Sequence, residues 1–170
     1  MSIPRGFRLA LLIGTLLLSG GINVDRSLVE MPAWQHVGAL AWATFSQWAD
    51  LGRGLLIYPV QGIGSTLLLI TAALIVFLKR KNLGRALALP IYVALLFAFG
   101  VMLTTTQAAP AMLSTTSHLR DPAALQQALT TFTLWQGIRS VCAWLASCAL
   151  LWALVAVASS SSNSRLSTPR

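Results

Sequence analysis

Charge is what this chain has least of. Four acidic and twelve basic residues make up only 9% of its 170 positions, against about 25% in soluble domains. That excludes an ordinary water-soluble domain, and no stretch is polar and long enough to fold as one beside the rest. Histidine and cysteine are nearly as rare, with two of each. Cys142 and Cys148 fall in one apolar run, about 9 Å apart along a helix axis, so they cannot bond to each other and read as packed or lipid-facing free thiols. Without a Cys-x-x-Cys the chain does not look like a membrane thiol oxidoreductase. His36 and His118 read as polar surface, so neither a metal nor an organic cofactor is expected. There is no P-loop, dinucleotide fingerprint, nucleophile elbow or zinc-protease helix. No acid lies within an apolar run, where a proton-coupled carrier would hold one. Thr104 to Thr106 need no role beyond bonding their own backbone.

Apolar sequence, by contrast, is abundant, at 56% of residues with a mean hydropathy of +0.73. Four runs approach the roughly 20 residues that cross a bilayer, at 7–24, 54–78, 86–107 and 134–158. They predict an all-α integral membrane four-helix bundle in one domain, residues 1–158. The polar tail 159–170, with four serines in succession, is expected to be disordered and cytoplasmic. Arg5 and Arg8 before the first run also suit a signal peptide, but three further spans favour an uncleaved anchor.

The net charge of +8 lies between the runs and not on one basic face, which argues for membrane topology and against a nucleic-acid partner. Lys79-Arg80-Lys81-Asn82-Leu83-Gly84-Arg85 is a short basic loop of the kind that stays inside. Four spans then put both termini inside too, as expected for a multi-pass protein of a bacterial cytoplasmic membrane. Arg5, Arg8, Lys79, Arg80, Lys81, Arg85, Arg165 and Arg170 fall inside. The acids Asp25, Glu30, Asp50 and Asp121 fall outside with Arg26, Arg53, Arg120 and Arg139. Asp121-Pro122 reads as an N-cap with proline at the first helical position, starting a helix that runs into the last span.

The outer segment 24–58 is too long for a plain connection. Trp34, Val37, Ala41, Phe45 and Trp48 recur at spacings of three and four, one apolar stripe on an extra amphipathic helix in the outer interface. Gln35, His36, Ser46 and Gln47 fall off that stripe. The helix serves either as an aromatic belt or as a lid over a pocket walled by Tyr58, Gln61, Trp135 and Arg139, with His36 near. Arg139 has two readings of its own. The 19 residues behind it nearly span the hydrocarbon, about 28 Å of helix, so it can snorkel outward. Alternatively it pairs with Asp25, Glu30, Asp50 or Asp121 and offers its guanidinium to a ligand.

Phe132-x-x-Trp135-x-x-x-Arg139 at the head of the last run, with the four-span plan and long first outer loop, resembles the anthrone-oxygenase-like family of small membrane proteins. The family often has Asn or His between that Trp and Arg, where this chain has Gln136-Gly137-Ile138. The resemblance implies a membrane pocket for a flat, lipophilic phenolic or quinone-like substrate, oxidised in some relatives by dioxygen without a cofactor. By position it carries over only Trp135 and Arg139. Two functions are therefore expected: a small enzyme or binder of a lipophilic aromatic at the outer leaflet, or a non-catalytic subunit packing on a larger membrane partner through small residues such as Ala94-x-x-x-Ala98.

Overall fold

The computed structural model describes residues 5–19, 21–79 and 85–166, which are helical almost throughout and include no strand. Seven α-helices follow in order: α1 (Arg5–Ser19), α2 (Gly21–Asp25), α3 (Met31–Val37), α4 (Ala39–Trp48), α5 (Gly54–Leu78), α6 (Arg85–Leu113) and α7 (Pro122–Leu166). Two single π-helical turns, Arg26–Glu30 and Ala49–Arg53, join α2 to α3 and α4 to α5. A short 3₁₀ turn, Ser114–Thr116, closes α6.

By length and composition three helical stretches can cross a membrane: Ala39–Leu78, Leu87–Thr116 and Pro122–Ser159. The first apolar helix, α1, is shorter, at 15 residues. α5 occupies the expected run, while α6 continues six residues beyond the expected end at 107. Pro59 lies within regular helix, and the chain bends instead at Gly52, whose backbone leaves helical geometry. α7 is longest, about 67 Å at 1.5 Å per residue, because nothing interrupts it. Asp121 caps it as expected, its carboxylate accepting from the N–H groups of Ala123 (3.0 Å) and Ala124 (3.1 Å). The helix continues to Leu166, into the stretch expected to be without structure. The basic loop at 80–84 and the last residues, 167–170, lie outside the described residues.

α6 packs most closely on α7; α1 packs on α5 and α7, and α5 also packs on α6. Alanines let the backbones approach. Ala94 and Ala98 of α6 share one buried cluster with Ala146, Ala149 and Ala153 of α7, filled out by Leu11, Leu69, Ile91 and Leu150. The small-residue face that could have met a partner is thus buried inside the chain itself. Large side chains point the other way: Leu96, Leu103 and Val155 are each more than 60% exposed, as suits contact with lipid and not water. Thr104, Thr105 and Thr106 each donate to a carbonyl three or four residues back, as expected.

The outer segment departs from expectation. Gly38, at φ 90°, separates α3 from α4, where a side chain would be strained, so one continuous amphipathic helix is ruled out. Most of the expected stripe faces outward: Val37, Ala41, Phe45 and Trp48 are exposed, and of its members only Trp34 is buried. The inward face carries Trp42, Ala43 and Ser46 instead. Trp34 and Trp42 pack against the C-terminal part of α6 and the N-terminal part of α7 in a second cluster with Ala108, Ala128, Leu129 and Phe132. Each helix followed the contacts available to it: indole rings filled the space above α7, and the rest of the apolar stripe was left for lipid.

Candidate functional site

The two π turns face each other. A π turn inserts a residue into a helix and re-aims the side chains around it, which is why such turns recur at functional sites. Here one supplies Arg26 and the other Asp50, and the two side chains form an ion pair in which the guanidinium donates to Asp50 Oδ1. Both are deeply buried, at 4% and 1% exposure. Glu30, one turn beyond Arg26, stands 3.8 Å from its Nε. Burial raises the Glu30 carboxyl above its ordinary range; the attraction of Arg26 offsets only part of this, while Asp50 and Asp25 push it further up.

Three aromatic faces enclose the Arg26 guanidinium, with ring centres at 4.8 Å (Tyr58), 5.4 Å (Trp34) and 5.6 Å (Phe132). A guanidinium is planar and weakly hydrated, so it tolerates this setting better than an ammonium would. Phe132 also touches Trp42, at 5.3 Å between ring centres. Gly54 makes the arrangement possible. A Cβ there would stand 2.6 Å from the Tyr58 ring and 2.8 Å from the Ala49 carbonyl. Gly54→Ala is therefore expected to displace Tyr58 and the second π turn, lowering stability by ~1–3 kcal/mol in a detergent unfolding titration, with Gly64→Ala, where the space is open, as the benign control.

Beside this centre lies a cavity of about 210 Å³ between α5, α6 and α7. Its polar end is formed by Arg26, Asp50, Tyr58 and Arg139, and its walls are apolar, chiefly Leu55, Ile63, Met102, Ala109 and Phe132. Leu55 and Ile63 are about half exposed, so the α5 side of the cavity lining reaches the surface, on the face where acyl chains would lie.

Arg139 lines the cavity, but none of the four expected acids ion-pairs with it; Arg26 has taken Asp50. Its Nη1 donates to the neutral Gln136 amide at 3.2 Å, and its buried Nε has no hydrogen-bond partner. Asp50 Oδ2 is likewise buried without a partner in bonding geometry, although the Tyr58 hydroxyl lies close enough to interact with that carboxylate. The cavity end thus offers an unused donor and an unused acceptor, in a setting where leaving each unmade costs about 1–3 kcal/mol.

No protein family, curated protein or solved structure matches the chain. Its chemistry must be read from these side chains. Of the residues singled out in the sequence, Tyr58 and Arg139 meet at the cavity. Trp135 is part-buried against the aromatic cluster and does not line the cavity. Gln61 is half-buried on α5 and is also absent from the lining, and His36 is exposed on α3. His118 binds the 3₁₀ turn through the Ser114 carbonyl, 2.7 Å from its Nδ1. Among the described residues no three His, Cys, Asp or Glu side chains converge as a metal site would need.

Arg26 and Asp50, the heart of the centre, were not recognisable as site residues. Arg26 has only Asp25 and Ser27 as neighbours in sequence, and π turns leave no composition signal. The available clue was that five charged residues, Asp25, Arg26, Glu30, Asp50 and Arg53, fall in a segment otherwise rich in apolar and aromatic residues.

Proposed function

We propose that this is a four-span membrane protein that binds a small lipophilic aromatic, phenolic or quinone-like, in a pocket at the outer leaflet. The observation that carries the reading is the cavity itself: apolar walls, one polar end with unused hydrogen-bonding atoms, and a side opening toward lipid. Small-molecule sites have this composition. The size suits a modest ligand. An apolar cavity of about 150 Å³ takes benzene, so 210 Å³ accommodates one substituted ring or two fused ones.

In this reading α1 is the first span, the basic loop after Leu78 lies inside, and both termini are cytoplasmic. Counting about 20 residues outward from Leu78, Leu87 and Ser159 reaches Tyr58, Gln107 and Arg139, all at one level. The polar end of the cavity then sits at the headgroup boundary, with Ile63 and Met102 on its hydrocarbon side and Leu55, Ala109 and Phe132 on its headgroup side, and a membrane-dissolved amphiphile enters between α5 and α6. The resemblance of Phe132-x-x-Trp135-x-x-x-Arg139 to anthrone-oxygenase-like proteins agrees with such a ligand, and oxidation by dioxygen is the chemistry that kinship would add.

Menadione, a neutral two-ring quinone, tests the reading directly. The purified protein in detergent is expected to bind it saturably, with quenching of tryptophan fluorescence. Ala109→Phe, which fills the cavity from α6, should weaken that binding by tenfold or more, about 1.4 kcal/mol, while leaving the unfolding temperature near that of the unaltered chain. Unsaturable partitioning, identical in both proteins, would mean that no pocket binds it.

A further inference from the structure

We infer that the ligand of this cavity carries a carboxylate as well as a hydroxyl: a hydroxylated aromatic acid, its carboxylate on Arg139 and its hydroxyl on Asp50. The inference rests on the pocket reading above and sharpens its ligand class. It starts from the charges that line the cavity, two arginines and one aspartate. Arg26 is compensated by Asp50, with Glu30 behind it. Arg139 is not: among the described residues no carboxylate ion-pairs with it, and its one side-chain bond goes to a neutral amide.

A part-buried guanidinium beside an apolar cavity, whose nearest acid Asp50 already pairs with Arg26, gains from an anionic group that completes it. Its planar fork matches a carboxylate, which can accept two parallel N–H bonds at once. A quinone carbonyl would satisfy a single N–H and leave the charge unbalanced. Asp50 makes the complementary demand. The Tyr58 hydroxyl lies close enough to interact with that carboxylate, but Oδ2, in a side chain only 1% exposed, has no donor in bonding geometry, and a ligand hydroxyl supplies one. The two demands fall on the same cavity end, while the walls beyond it are aliphatic, aromatic and thioether surface, suited to a ring and unsuited to a sugar or a peptide.

The test compares three single-ring probes with menadione, by calorimetric titration of the full chain in detergent. These are meta-hydroxybenzoate, its methyl ester and benzoate. The hydroxy acid should bind at least tenfold more tightly than its ester and severalfold more tightly than benzoate, since hydrogen bonds to charged groups contribute about 1.5–3 kcal/mol. Arg139→Gln should erase the preference for acid over ester, while saturable menadione binding persists, weakened at most by the one N–H bond a quinone carbonyl could take, because an apolar ring depends chiefly on the walls. Arg139→Lys keeps the charge and loses the fork; it should retain part of the preference, and it carries the test should the glutamine variant fail to fold. Equal binding of acid and ester in the unaltered chain, or an acid preference that survives Arg139→Gln, overturns the carboxylate assignment while menadione binding leaves the pocket standing. If neither menadione nor the acid binds, the pocket reading has failed and this inference with it.

Discussion

Arg26→Leu is expected to destabilise the fold by ~3–5 kcal/mol, among the largest losses a single change here should cause. The cause is not the loss of an attraction alone. Asp50 would remain, 1% exposed, with both carboxylate oxygens lacking a cation in a site closed by aromatic rings. Two charges removed together leave no such residue. The double variant Arg26→Leu/Asp50→Leu should therefore recover most of the loss and come within about 1 kcal/mol of the unaltered protein, as buried pairs replaced by apolar side chains often do. Arg26→Lys separates charge from shape. It keeps the ion pair but gives up the planar stacking between Tyr58, Trp34 and Phe132, for a cost of ~1–2 kcal/mol. Unfolding titrations of these four proteins together with Asp50→Leu in one detergent provide the full cycle. A double variant no better than the worse single one would mean that the pair holds the two π turns together in a way that burial alone cannot.

How much of this could be read from the sequence depended on which force was in charge. Helix class, the extent of α5 and the Asp121 cap follow from local composition, because hydrocarbon length and orphan N–H groups impose the same demands everywhere. The orientation of α4 did not follow from periodicity. In water an apolar stripe turns inward, but beside a membrane the outside is apolar too. Val37, Phe45 and Trp48 could face out at no loss while Trp42 and Ser46 turned in. The Arg139 environment was half legible. Its position in the chain placed it near the boundary, and only the three-dimensional arrangement shows that Arg26 had already claimed Asp50. Trp135 belongs to the motif at the head of the last run, and His36 is a polar residue of the segment expected to lie near it. Neither proximity in sequence nor a shared side of the membrane determines which side chains line one cavity.

That division also bears on what the aromatic cluster does. Phe132 is 3% exposed, lines the cavity, stacks on Trp34 at 6.0 Å and on Trp42 at 5.3 Å, and covers the Arg26 guanidinium. Phe132→Ala should cost ~3–5 kcal/mol, the transfer and cavity terms for a buried aromatic, and should open a void continuous with the existing cavity. The consequence distinguishes a wall from a mere spacer. A small apolar ring such as toluene should restore part of the lost stability in the variant and have little effect on the unaltered chain, because a dry cavity of that kind is filled by whatever apolar molecule fits. Menadione binding should persist or strengthen in the enlarged space, while the hydroxy acid, held at the other end by Arg139 and Asp50, should lose affinity only to the extent that Arg26 and Asp50 shift. A variant that unfolds no more easily, or one whose loss toluene leaves untouched at saturation, would mean that the indole rings of Trp34 and Trp42 collapse into the gap and that Phe132 does not separate the cavity from the cap.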